Sequence, residues 1–335
     1  VAKTVVVTGA SAGCGRAIAV AFAKRGAQVA LLARGEAGLK AAQDECLSAG
    51  AESAIVVPCD VADARAVDQA ADLVERELGP VDVWVNNAMV SVFARTWDIT
   101  PEEFHRVISV NLLGAVHGTQ AALRQMRPRG QGVIVQVGST LAYRGIPLQG
   151  PYCASKHAIQ GFTDSLRPEL MRHSPGVKVT MVQLPALNTP QFSWVRTRLP
   201  GHPQPVPPIF QPEVAGEAVV WAAEHTPREL NVTGRTSLIR ALNAVAPGAL
   251  DRYLARTNEE AQQTDELVET ADWEDNLTAP RDAERDCGAH GVFDRKAHRW
   301  SPEVWVRTHL PLVAAAGGLA LAGAVAAVSR TARRP

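Results

Sequence analysis

The chain carries no excess of charge of either sign: 34 basic residues balance 34 acidic ones, and the formal net charge at pH 7 is +0. A nucleic-acid ligand needs a basic stripe or patch, so that class of function is set aside. Cysteine is sparse, with Cys14, Cys46, Cys59, Cys153 and Cys287 odd in number and scattered. Such spacing argues against a disulfide framework and for a reducing compartment. Metal-ligand spacing is missing as well. Cys287 and His290 would make half a site, but no second pair follows at a suitable distance, so no metal is expected. There is no secretory signal. The chain opens directly on an apolar run without an initiating Met, and some upstream residues are expected to be missing. In a cytoplasmic enzyme the sequons at Asn231 and Asn276 would be coincidental.

What is present is enough apolar material for a large core: 46% hydrophobic residues in 335. Strand-like runs at Lys3–Thr8, Gln28–Ala33, Ser53–Pro58, Asp82–Asn86, Gly132–Gly138, Val177–Leu184 and Glu229–Thr233 alternate with helical stretches. This alternation predicts an α/β fold, a doubly wound parallel sheet of about seven strands with right-handed crossovers. Ligands bind such a sheet at the carboxyl ends of its strands.

The first strand runs straight into Gly9-Ala10-Ser11-Ala12-Gly13-Cys14-Gly15, and Arg16 to Lys24 then reads as a helix. Glycines allow close backbone approach, and a helix N-terminus offers unpaired N–H groups, so this order forms a pyrophosphate cradle. Cys14 serves as a small loop residue. The second strand ends at Ala33 and is followed by Arg34. A guanidinium there suits a 2′-phosphate where a carboxylate would suit a 2′-hydroxyl, which favours NADP over NAD; the other reading of Arg34 is a solvated strand end. Further on, Tyr152 and Lys156 stand i and i+4 on one helix face. An ammonium beside a phenol is expected to lower a pKa of about 10 and let Tyr152 exchange a proton near neutral pH.

Together these residues resemble the short-chain dehydrogenase/reductase family, from about Lys3 to about Gly234. The resemblance implies a Rossmann-like fold and assigns Gly9, Ser11, Gly13 and Gly15 to the pyrophosphate loop. It gives Asp60 and Val61 to the adenine, and Asn87 and Ala88 to the cofactor site after the fourth strand. Pro185 and Thr189 fit the stretch whose threonine meets the nicotinamide carboxamide. Asn111, Ser139, Tyr152 and Lys156 match the catalytic tetrad in order and spacing. The implied activity is NADP(H)-dependent hydride transfer between a carbonyl and an alcohol. Ser139 would bind the carbonyl oxygen and Tyr152 would act as acid or base. Lys156 would tune Tyr152 and hold the nicotinamide ribose, and Asn111 would order a water chain. A dehydrogenase working oxidatively, or a non-catalytic NADP-binding membrane-associated protein, would carry much of the same set. Two departures from the family pattern bear on the nicotinamide: Met89 and Ala186 stand where glycines are usual.

The family needs only about 250 residues, so the remainder requires its own reading. Residues 1–250 are expected to form the NADP-binding catalytic domain, 251–303 a polar extension or linker, and 304–335 a hydrophobic anchor. Thr189 to Pro212, rich in proline and bearing Phe192, Trp194, Leu199, Ile209 and Phe210, either covers a lipophilic substrate or simply packs down. Leu310 to Val328 lacks any polar side chain and is flanked by Arg307 and Arg330. At 1.5 Å per residue it just spans a hydrocarbon layer of about 30 Å, which predicts a transmembrane helix with the catalytic domain facing the cytoplasm. A buried helix, or one that joins a homo-oligomer, is the alternative. The partner otherwise expected is a small-molecule carbonyl or alcohol.

Overall fold

Each of the seven apolar runs forms a strand of one parallel sheet. They are β1 (Thr4–Thr8), β2 (Gln28–Ala33), β3 (Ser53–Pro58), β4 (Val81–Asn86), β5 (Gly132–Ser139), β6 (Val177–Leu184) and β7 (Glu229–Asn231). The computed structural model describes residues 3–268 and 273–309. Across the sheet the order is β7-β6-β5-β4-β1-β2-β3, with every neighbouring pair parallel. The order reverses between β1 and β4, so the crevice opens where their carboxyl ends diverge.

Alternation within β1 shows how the sheet is buried on both faces. Val5 and Val7 enter one apolar cluster with Ile18 and Phe22 of α1 (Gly13–Ala23), Leu39 of α2 (Glu36–Ala49) and Val219 of α7 (Pro212–His225). Val6 enters the opposite one with Val67 of α3 (Ala64–Leu78), Met126 of α5 (Gly114–Arg129) and Leu166 of α6 (Gly150–His173). A period of two sends successive side chains to opposite faces. Each fully buried aliphatic side chain contributes about 1.5–3 kcal/mol. The helix α4 (Pro101–Ile108), closed by a capping box of Thr100 and Glu103, passes into a π-helical segment, Ser109–Leu113, before α5 begins. Such bulges are rare and concentrate at functional sites. This one carries Asn111.

The polar stretch 251–303 carries secondary structure of its own. Helices α8 (Gly234–Val245) and α9 (Pro247–Ala261) stand beside the crevice, and Gln263–Leu267 pairs antiparallel with Gly201–Pro203. From 273 onward the chain returns over the carboxyl edge of the sheet. There Gly38 N donates to Asp282 O at 3.0 Å, Ala37 N to Ala283 O at 3.2 Å and Gly13 N to Gly288 O at 3.0 Å. Ala297–His298 adds to Ile209–Phe210, which itself pairs with Ala186–Leu187. Composition hides this because few apolar anchors, among them Leu277, Phe293 and Val304, hold the segment down; backbone and arginine hydrogen bonds do the rest.

The aromatics of the 189–212 loop mostly pack down. Phe192 packs with Phe93, Leu148, Val195 and Leu199, and Ile209 and Phe210 are buried, while Phe192 and Trp194 also line the crevice. The segment Leu310–Val328 lies outside the described residues. Among those described, no helix is long and apolar enough to cross a membrane.

Candidate active site

The glycine loop fits a pyrophosphate for a steric reason. Gly9 and Gly13 adopt left-handed backbone at φ of 67° and 56°. A Cβ on Gly15 would fall 2.5 Å from Asn87 Nδ2 and closer still to the Gly9 carbonyl oxygen. Thr8 Oγ1 accepts from Asn87 N at 2.9 Å and Ala88 N at 3.1 Å, and Asn87 Nδ2 donates to Thr8 O at 2.8 Å. Asn87 therefore braces the loop from β4. Ser11, Val61, Ala88, Pro185 and Thr189 line the same crevice.

At the adenosine end Arg34 lines the crevice, but its guanidinium is already engaged. It donates to Asn276 O at 2.6 Å and Thr278 O at 2.8 Å, carbonyls of the returning segment. Asp60 accepts from Ala62 N at 3.0 Å and from Arg106 at 2.7 Å. Burial pushes its carboxyl up, but these hydrogen bonds and the Arg106 charge outweigh it and hold it below the usual range.

The reactive groups converge from β5 and α6. Ser139 ends β5, and its Oγ accepts from Leu141 N at 3.1 Å. Tyr152 and Lys156 point from one face of α6, with the Lys156 ammonium 5.6 Å from the Tyr152 ring centroid. Lys156 Nζ donates to Val137 O at 2.8 Å. All three line one cavity of about 670 Å³ that runs from the glycine loop to α8 and α9. Asn111 does not reach it. Its Oδ1 accepts from Val90 N at 2.8 Å, and its Nδ2 donates to Val90 O at 3.0 Å and Ser155 Oγ at 3.1 Å. Ser155 in turn donates to Tyr152 O at 2.7 Å. One amide hydrogen of Asn111 thus ties it to Val90, and the other braces, through Ser155, the turn that carries Tyr152.

The expected lowering of the Tyr152 pKa is not what the geometry produces. Burial raises it well above the ordinary phenol value, with the Ser139 hydroxyl acting the other way. Lys156 is brought down to about 8 by the same burial. Spacing placed the two groups together, but leaving water is the largest cause of both shifts. Burial also pushes the Cys14 thiol up to about 12, so it stays neutral.

A model of the short chain dehydrogenase family matches residues 3–199. The chain belongs to the short-chain dehydrogenase family. It is 35% identical over 258 residues to the uncharacterized oxidoreductase YxnA of Bacillus subtilis, covering 76% of this chain and 72% of that protein. It is 33% identical over 189 residues to the NADPH-dependent pterin aldehyde reductase of Arabidopsis thaliana, covering 56% and 76%. Among solved structures it resembles the alcohol dehydrogenase of Thermococcus sibiricus complexed with 5-hydroxy-NADP. That match has a TM-score of 0.59 and 29% identity, over 69% of this chain and 96% of that one. This short-chain dehydrogenase is accordingly an oxidoreductase of alcohol and carbonyl groups that uses a nicotinamide cofactor.

Sequence reading missed the groups that α8, α9 and the returning segment bring to the dehydrogenase site. Thr140 and Thr236 hydroxyls meet at 2.7 Å, Arg144 donates to Asn243 at 3.0 Å and Gln149 to Gln262 at 2.7 Å. These bonds fix α8 and α9 as a wall carrying Leu238, Ile239, Leu242 and Leu254 toward the cavity. A signal for the returning segment did exist: α2 starts at Gly35 with no side-chain cap of its own, so its orphan N–H groups need partners from elsewhere.

Lys156 offers a direct check. Carbon-13 spectra of the cofactor-free protein should show one lysine titrating near about 8, against an ordinary 10.5, and the signal should vanish in Lys156→Arg. Between those values the unfolded chain holds more protons at this position than the folded one. This contribution to stability therefore rises with pH through the window. Lysines that all titrate in the ordinary range would refute the burial argument.

Proposed function

We propose that the chain is an NADP(H)-preferring reductase of ketones or aldehydes carried on lipophilic molecules. The observation that supports this reading is the grouping of Ser139, Tyr152 and Lys156 on one cavity wall, where the Tyr152 phenol is protonated at neutral pH and so available to a developing alkoxide. When bound, the reduced nicotinamide would supply the hydride to the carbonyl carbon. Ser139, whose oxygen accepts from Leu141 N–H, gives its hydrogen to the substrate oxygen. Tyr152 gives its proton as charge develops there, and Lys156, protonated below about 8, stabilises the phenolate left behind. The NADP(H) preference rests on Arg34 at the crevice wall, and the names of the plant relative and the archaeal complex agree with it.

Lipophilicity is supported by the wall. Met89, Val90, Phe93, Phe192 and Trp194 line the cavity together with Leu238 and Leu242 of α8, which are exposed. A Met at 89 and an Ala at 186, one on the cavity wall and one in a paired strand, add apolar bulk there. The test is NADPH consumption on a panel of carbonyls graded in apolar size. Specificity should rise with each added methylene, by up to about fourfold per group at roughly 0.8 kcal/mol. A preference for small polar carbonyls, or no turnover despite bound NADPH, would overturn the reading.

A further inference from the structure

The start of α2 is an odd place to find an unpaired acid. Asp282 is 5% exposed, lines the cavity beside Arg34 and Gly35, and takes no hydrogen bond or salt bridge on its carboxylate among the described residues. The fit is tight. A Cβ on Gly38 would lie 2.5 Å from Asp282 Oδ2, and one on Gly35 would lie closer still to Oδ1. Two N–H groups of the α2 start, those of Ala37 and Gly38, are already taken by the carbonyls of Ala283 and Asp282. The positive end of the helix, where an external anion would otherwise settle, is thus filled by the chain's own backbone and faced by its own carboxylate.

This position bears on which nucleotide the crevice accepts. Arg34 holds the segment through the carbonyls of Asn276 and Thr278, so cation and carboxylate are delivered to the adenosine end as one unit. Resting on the cofactor reading given above, we propose that Asp282 is a cofactor-selectivity residue: its carboxylate accepts from a ribose hydroxyl and repels a 2′-phosphate, opposing Arg34. A carboxylate and a guanidinium at this place favour opposite cofactors. Their combination narrows a preference that Arg34 alone would make wide.

The experiment is a binding titration on the full chain, with NADPH and NADH followed by fluorescence, and adenosine 2′,5′-bisphosphate and AMP by calorimetry. Asp282→Asn is nearly isosteric and should raise the NADPH-to-NADH affinity ratio by about tenfold, with the same change for the two adenosine nucleotides. Arg34→Ala should move both ratios the other way. Gly35→Ala, which displaces the carboxylate sterically, should shift them in the direction of Asp282→Asn and guards against a folding defect peculiar to that variant. If both cofactors bind and Asp282→Asn and Gly35→Ala leave the ratios within about twofold, Asp282 is only a structural cap and the proposal falls. If neither nucleotide binds the unmutated protein, the cofactor reading itself falls and takes this one with it.

Discussion

Tyr152→Phe is expected to lower turnover by about 10²–10⁴-fold while leaving NADPH affinity within about threefold. The ring fills the same space in both residues, and the Lys156 ammonium lies 5.6 Å from its centroid whether or not the hydroxyl is present. Only the proton is lost. Of its neighbours, Ser139 is a far weaker acid, and Lys156 Nζ is directed at Val137 O at 2.8 Å. Steady-state NADPH consumption and a fluorescence titration on the same preparation separate chemistry from binding. Retention of more than about a tenth of the rate would show that Tyr152 is not the acid.

Gly15→Ala should abolish measurable cofactor binding and destabilise the fold by roughly 1–3 kcal/mol. The added methyl would meet Asn87 Nδ2 at 2.5 Å and the Gly9 carbonyl more closely. Neither neighbour yields easily. The Gly9 oxygen is backbone at a φ of 67°, and Asn87 is pinned to Thr8 O at 2.8 Å. Relief must come from moving the loop away from the phosphates. Gly161→Ala is the internal control, because it lies in α6 with nothing within 4 Å of the new methyl. Helix propensity alone should make that change stabilising by about 0.5–1 kcal/mol. Thermal denaturation of both variants, with NADPH titrations, decides the matter; a Gly15→Ala protein that binds normally would refute the steric account.

Much of the sheet was legible because its signals are local. A strand buried on both faces reads as an unbroken β-branched run, and β2, β3 and β6 span the residues that the sequence predicts. The glycine spacing and the i, i+4 pair are local too, so Gly15 and the Tyr152–Lys156 face lie where expected. The partners of Asn111 were not legible, since nothing in the sequence shows that Val90 and Ser155 take up its amide. Arg34 shows the same limit more sharply. Its partners are 242 and 244 residues away in a stretch whose composition reads as linker.

By itself, then, the sequence determined the order of the strands along the chain, the glycine loop and the pairing of Tyr152 with Lys156 on one helix face. These depend on residue type and short spacing, and short spacing is enough to set which side chains share a face. Tertiary structure alone decided the burial of that pair and the shape of the crevice's far end. A pKa depends on how much water a fold removes, and burial moves Tyr152 up and Lys156 down. Asp282 and Arg34 meet only because a polar segment folds back across the sheet edge. No local pattern encodes a contact that bridges the two ends of the chain.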